Sequence, residues 1–480
     1  MRLPLWLGLL AAIAPVAGCL RLAPAPYTAS RPAPCPPGQG SAETFARVSL
    51  PEPAAEYQTL PIEAPTGVLT LADAINRALD RHPELAALEQ EVAAREAEVL
   101  QADLPPNPEL EAEIEDLLGG TSGAEPEQQD LSGFTGAEAT LTLSQTIERA
   151  GKRLKRRHLA ERQADAAAWD IEARRLELLT RVQAAFVELL AAQEKVNLAR
   201  QLAEIATQAH ETVARRVEAG KISPIEEKQS RVAWEVQRTD LAAAEAELDA
   251  ARRRLAALWD AEPVFGEAVG DLERLPPLPA AADLETLLAD NPEVARWATE
   301  MAVRRAALEL AEAEARPDPT LRVGARYFNE TENHALILGF SIPLPLFDRN
   351  QGQIAAARHR LEQAEAEQAA ARRRLREQLI ELHGRAAGAR DEAERLRTVV
   401  LPDAQAVYES LLEGFWLGEY DLINVLDAQQ RVFELRGRYL DQLTEFQQAA
   451  AELEGLIGAP LATVAADSAG ANDRIEETKP

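Results

Sequence analysis

Apolar residues recur every third or fourth position through most of this chain and every second position in four short stretches. The first pattern predicts helices and the second strands. Leu179, Val182, Phe186 and Leu189 are spaced three, four and three apart, which is the seam of a coiled coil. Leu241, Ala244, Leu248, Ala251, Leu255 and Leu258 continue it on the next helix, and Tyr439, Leu443, Phe446, Ala450, Leu453 and Ile457 repeat it near the C-terminus. Neither Gly nor Pro occurs between Gly151 and Gly220, so a helix there runs about 100 Å at 1.5 Å per residue. Its later counterpart contains Gly384, Gly388 and Pro402, which predict bends.

The strands alternate by side. Leu110, Ala112 and Ile114 fall between Glu109, Glu111, Glu113 and Glu115, so every carboxylate shares one face. Ala139, Leu141 and Leu143 alternate with Glu138, Thr140, Thr142 and Ser144. Leu321, Val323, Ala325 and Tyr327 alternate with Thr320, Arg322 and Arg326, and Leu336, Leu338, Phe340 and Ile342 form a fourth apolar face. A Gly-rich segment from Gly119 to Gly136 joins the first pair, and Asn329 to Asn333 joins the second. Strands of about 9 to 11 residues cross a bilayer when tilted. Alternation alone fits equally a sheet with one wet face.

Four landmarks occur twice in the same order, about 200 residues apart, which indicates an internal duplication. His82-Pro83-Glu84-Leu85 matches Asn291-Pro292-Glu293-Val294, and Pro106-Asn107-Pro108-Glu109-Leu110 matches Pro317-Asp318-Pro319-Thr320-Leu321. Leu143-Ser144-Gln145 matches Phe340-Ser341-Ile342, and Ala219-Gly220-Lys221 matches Leu417-Gly418-Glu419. Each half reads helix, strand, strand, long helix, glycine turn, helix. The fold class is therefore mainly α with a small β part. The expected division is a signal peptide over 1–18, a Pro/Ala-rich tail over 19–67, a first repeat over 68–262, a linker over 263–280, a second repeat over 281–458 and a disordered tail over 459–480.

Composition narrows the class. Aromatics are 5% of the 480 residues and methionine occurs twice, too little for several globular cores and consistent with Ala-rich elongated helices. The formal charge of -28 argues against nucleic acid as a partner, because phosphate binding needs basic clusters that carboxylates do not outweigh. Met1 to Gly18 has the charge and apolar run of a secretory signal and is too short to span a bilayer as a mature helix. It ends in Val16-Ala17-Gly18-Cys19, which resembles the lipobox of bacterial lipoproteins and makes Cys19 the expected lipidation site. Cys35 then has no partner for an intramolecular disulfide.

Catalytic and cofactor chemistry is not expected. The six histidines are scattered, without Cys partners or an i, i+4 pair, so a fixed metal site is not expected. Around Gly151-Lys152-Arg153 a phosphate loop would need Gly at Thr146 and Ser or Thr at Arg153. No Gly-x-Ser-x-Gly elbow or Cys/His pairing supplies a nucleophile.

From about Leu69 to Leu456 the chain resembles the TolC family of outer-membrane efflux factors. The duplicated order, the lipobox and two segments carry the resemblance. Ala139-Thr140-Leu141-Thr142-Leu143-Ser144-Gln145 with Gly151-Lys152-Arg153, and Ser341-Ile342-Pro343-Leu344-Pro345-Leu346-Phe347-Asp348-Arg349-Asn350, are similar to the heavy-metal cation efflux branch.

The resemblance implies a homotrimer. Each chain gives four strands to a twelve-stranded barrel in outer-membrane lipid and its long helices to a periplasmic tunnel. It implies an adaptor and an inner-membrane resistance-nodulation-division pump as partners. The adaptor-docking tips fall at Gly220, Lys221, Ile222, Ser223 and Pro224 and at Gly418, Glu419, Tyr420 and Asp421. The constricting carboxylate ring corresponds to Asn424 and Asp427, with an amide in the first place, and a second acidic gate position to Glu226, whose expected basic partner is replaced by Tyr420. The competing readings are a lipid-anchored coiled-coil scaffold without a pore, and a duct for drugs or exported proteins.

Overall fold

The computed structural model describes residues 67–116 and 136–465. Cys19, Cys35, the signal segment, most of the Gly-rich loop and the end of the C-terminal tail lie outside them. The chain divides into two compact units, with described residues 90–116, 136–168 and 298–366 in one and 67–89, 169–297 and 367–465 in the other.

The element order is the predicted duplication. The first repeat comprises α1 (Leu71–Arg81), α2 (Pro83–Ala102), β1 (Glu109–Glu115), β2 (Glu138–Thr146), α3 (Lys152–Glu218) and α4 (Pro224–Ala257). The second comprises α5 (Ala281–Leu287), α6 (Pro292–Glu314), β3 (Thr320–Phe328), β4 (Asn333–Ser341), α7 (Gln351–Arg395), α8 (Leu401–Leu417) and α9 (Leu422–Ile457). Helix α1 starts at a capping box between Thr70 and Asp73, which satisfies otherwise orphaned backbone donors. Pro83 and Pro292 open the next helices, where a missing N–H costs nothing.

Helix α3 runs unbroken for 67 residues, as the lack of Gly and Pro predicts. The helix is not interrupted at Gly384 or Gly388, because α7 continues through both. The interruption is instead a π-turn over Leu396–Val400, where Leu401 N–H reaches back to Leu396 O. Pro402 follows it at the start of α8. A proline lacks the donor and its ring collides with the carbonyl four residues back; one wider turn relieves that collision while the helix carries on.

The seams lie in two buried clusters, and Leu443 of the second repeat joins the first of them. Leu178, Val182, Phe186 and Leu189 of α3 pack with Ile75 of α1 and with Leu248, Ala251 and Leu255 of α4. In the second repeat Leu284 of α5, Leu375 and Leu379 of α7, and Phe446, Ala450 and Leu453 of α9 do the same. Burying one such leucine or phenylalanine is worth about 1.5–3 kcal/mol, so the pairing of long helices rests on these residues and not on the surface ion pairs, each worth about 0–1 kcal/mol.

The four strands form one antiparallel sheet in the order β1-β2-β3-β4. Strands β2, β3 and β4 are each nine residues long, within the expected length, and β1 is shorter at seven. Strand β1 stops at Glu115 because Asp116 takes a left-handed φ of 49°, and β4 ends at Ser341, one residue before Ile342.

Candidate functional site

The register sorts the sheet into two chemically distinct faces. Leu110, Leu143, Val323 and Leu338 form one cross-strand row, and Ala112, Leu141, Ala325 and Leu336 the next. This face has no cover among the described residues, and Leu338 is 76% exposed. The other face carries the β1 glutamates, Thr140, Thr142, Arg322 and Arg326. Arg326 bridges Glu115 at 3.2 Å and Glu138 at 2.9 Å, tying three strands. Gly324 is required here, since a Cβ would lie 2.6 Å from Leu141 O. A broad apolar face left bare on a sheet marks contact with lipid or another chain.

At the far ends of the long helices, the two predicted tips share one backbone. Gly220 and Gly418 are left-handed, with φ of 68° and 83°. Lys221 N–H donates to Arg216 O at 2.9 Å and Glu419 N–H to Gly414 O at 2.8 Å, the bond that ends a helix on a glycine. Ser223 and Asp421 then open α4 and α9 from extended conformations. Pro224 stands in the first turn of α4. Lys221, Ser223, Pro224, Glu419, Tyr420 and Asp421 are exposed and Ile222 is half-buried.

The residues assigned to the constriction fall at these helix starts. Glu226 and Asn424 are equivalent third positions of α4 and α9. Glu226 accepts from Ser223 N–H at 3.3 Å in a capping box and has no ion pair among the described residues. Asn424 and Asp427 are exposed on one side of α9, and Asp427 has no hydrogen-bond or ion-pair partner among the described residues.

Three contacts near the tips were not legible in the sequence. The Arg216 guanidinium lies 5.3 Å from the Phe415 ring and 5.9 Å from Trp416, fastening one tip to the other. The Tyr420 ring occupies the space beside Gly414 that any side chain there would need. Deeper in the first hairpin, His210 stacks on Trp234 at 5.4 Å. Its Nδ1 lies 3.0 Å from Ser230 Oγ, whose single proton goes to Glu227 O, so Nδ1 is the donor. Aromatic and basic residues near both tip glycines were the available signal, but their pairing requires knowing that the hairpins lie side by side.

Among the described residues no group of three or more His, Cys, Asp or Glu side chains is placed to hold a metal, and no helix is long and apolar enough to cross a membrane.

Comparison with known proteins agrees with this arrangement. The family model for outer membrane efflux proteins matches residues 74–261 and 284–459. The cobalt-zinc-cadmium resistance protein CzcC of Cupriavidus metallidurans is 35% identical over 393 residues, covering 82% of this chain and 90% of that protein. The nickel-cobalt-cadmium resistance protein NccC of Alcaligenes xylosoxydans xylosoxydans is 26% identical over 308 residues, covering 63% and 68%. Among solved structures, CusC superposes with a TM-score of 0.69 at 19% identity over 91% of this chain and 99% of its own. The outer membrane protein VceC of Vibrio cholerae gives 0.65 at 17% identity over 82% and 96%. These two structures bear on the fold alone.

Proposed function

The chain belongs to the outer membrane efflux protein family, and on that premise we propose that it is the outer-membrane channel of a tripartite efflux system, a passive exit duct for heavy-metal cations. The observation that carries this reading is the sheet, apolar and bare on one face and charged on the other. A sheet with two free edges is not tolerated in lipid, so β4 of one copy pairs with β1 of the next and three copies close a twelve-stranded barrel. The apolar face meets hydrocarbon and the charged face lines water. Cys19 carries the lipid anchor, the glycine tips dock the periplasmic adaptor, and a proton-coupled inner-membrane pump supplies the energy.

Heavy-metal cargo is supported by the resistance proteins to which the sequence is similar. A duct needs weak, transient contacts and not a tight cage, so exposed Asp427, without a partner among the described residues, suits the constriction better than Glu226, whose carboxylate is held in a cap. Deleting the protein should raise sensitivity to cobalt, zinc or cadmium, and an unchanged metal profile would remove that cargo. In planar bilayers the purified trimer should conduct, and Asp427→Ala should shift its reversal potential toward lower cation selectivity. An identical potential would take Asp427 out of the filter.

A further inference from the structure

The turns that leave β2 and β4 are built alike but held differently. After β2, the turn is fixed by the lead-in to its neighbour β3. Ile147 N–H donates to Pro319 O at 2.9 Å, Arg149 N–H donates to Asp318 Oδ1 at 2.8 Å, and Lys152 Nζ lies 2.6 Å from Asp318 Oδ2. Matching Ser144 to Ser341 makes Leu344 the counterpart of Ile147. Pro345, Leu346 and Phe347 are then three extra residues, after which Asp348-Arg349-Asn350 resumes the backbone of Glu148-Arg149-Ala150. The resumption is visible in the left-handed φ shared by Ala150, 59°, and Asn350, 58°.

Strand β4 is an edge, so nothing among the described residues of its own chain plays the part of the β3 lead-in. Leu344 N–H has no partner among the described residues, and Arg349 N–H closes on Gln351 Oε1 at 2.8 Å. The turn is nonetheless fixed, with Leu346 N–H on Leu344 O at 2.8 Å and Asn350 Nδ2 on Ala311 O at 2.8 Å. It holds Phe347 90% exposed beside exposed Leu346. An ordered turn presenting a bare aromatic ring is preorganised for a contact.

The opposite edge offers the complement. The lead-in to β1 is Pro106-Asn107-Pro108, the counterpart of Pro317-Asp318-Pro319. Neither the Asn107 side chain nor the Pro108 carbonyl has a partner among the described residues, and Leu104 beside them is exposed. We propose that the β4 exit turn of one copy docks on the β1 lead-in of a second copy of this chain. Leu344 N–H donates to Pro108 O of the next copy, Arg349 N–H leaves Gln351 for Asn107 Oδ1, and Leu346 and Phe347 cover Leu104. An amide suffices where the first repeat has Asp318, because the counterpart of Lys152 is Gly352 and brings no charge. Such a contact joins two different surfaces, so it propagates around a ring until the ring closes.

This inference rests on the channel reading and names the contacts that lock the barrel to the helices beneath it. The test uses the full chain in detergent with Cys35→Ser, carrying Asn107→Cys and Arg349→Cys, treated with a short bis-maleimide. Covalent dimers and trimers are expected only when both new cysteines are present. Trimers intact by native mass spectrometry but never cross-linked would overturn the contact and leave the channel standing, whereas non-conducting monomers would overturn both. Separately, Asn107→Leu should lower the temperature at which trimers dissociate in detergent while Asn107→Asp holds it; equal temperatures for all three proteins would also overturn the contact.

Discussion

The turn that leaves β2 has its polar groups met by the lead-in to β3, whereas the matching turn that leaves β4 has no such neighbour among the described residues. After β2 the turn is closed by Asp318 and Pro319 of the same chain; after β4 it is bare. The first tip has a capping box built on Ser223 and Glu226, while the second opens at Asp421 without a side-chain cap. Helix α3 is continuous, and its counterpart is interrupted by the π-turn before Pro402. Duplication kept the backbone, and the two repeats differ in how each turn and tip is closed.

The largest effect that sharpens this contrast is at Asp318. Its ion pair with Lys152 is mostly buried, with side-chain exposures of 10% and 19%. Removing one partner from a fully buried pair costs about 3–5 kcal/mol, and partial exposure here brings Asp318→Ala to about 2 kcal/mol of monomer stability by denaturant titration. The counterpart Asn107→Ala should leave the monomer within about 0.5 kcal/mol of wild type. Equal losses would erase the distinction between the paired lead-in to β3 and the open lead-in to β1.

The tips provide the intermediate test. A Cβ at Gly220 or Gly418 meets no atom within 4 Å, so Ala at either position pays only for the left-handed backbone, about 1–2 kcal/mol. Hydrogen exchange around each tip should report the same loss of local protection for both. Clearly different losses would mean that the two turns are not equivalent.

The smallest effect concerns Glu454, which the offset of the tip glycines makes the counterpart of buried Ala256. Burial holds the Glu454 carboxyl above the usual carboxylate range, against the opposing N–H of Leu461. The folded protein therefore binds that proton more tightly than the unfolded chain, and stability falls as pH rises from the usual carboxylate range through the raised value. Glu454→Gln stays neutral and keeps an oxygen for Leu461. Its Tm gain over wild type should be larger at pH 8 than at pH 4.5, and a gain independent of pH would dismiss the carboxyl as its source.

Much of the fold was legible because its signals are local. Strand alternation, the 3-4-3 seam of α3 and the glycine at each tip act over a few residues and require no knowledge of neighbours. The duplication was legible because Pro and Gly landmarks carry fixed backbone meanings. The interruption falls at Leu396–Val400 and not at Gly384 or Gly388 because a glycine among good helix formers costs only about 1 kcal/mol and keeps its N–H, whereas Pro402 has no N–H to give and its ring collides with the turn before it.

The sequence by itself determined which residues are helical, which face of each strand is apolar, and where the long helices turn, because backbone sterics and side-chain periodicity decide these within a few residues. Only the tertiary structure decided that Arg216 joins the two tips, that Lys152 meets Asp318 and that Arg326 spans Glu115 and Glu138. Those partners are separated by roughly 165 to 210 residues of chain, and no local rule carries the free energy of closing such loops. The fold does so through the pairing of β2 with β3 and the packing of long helices, and the side-chain contacts follow from that frame.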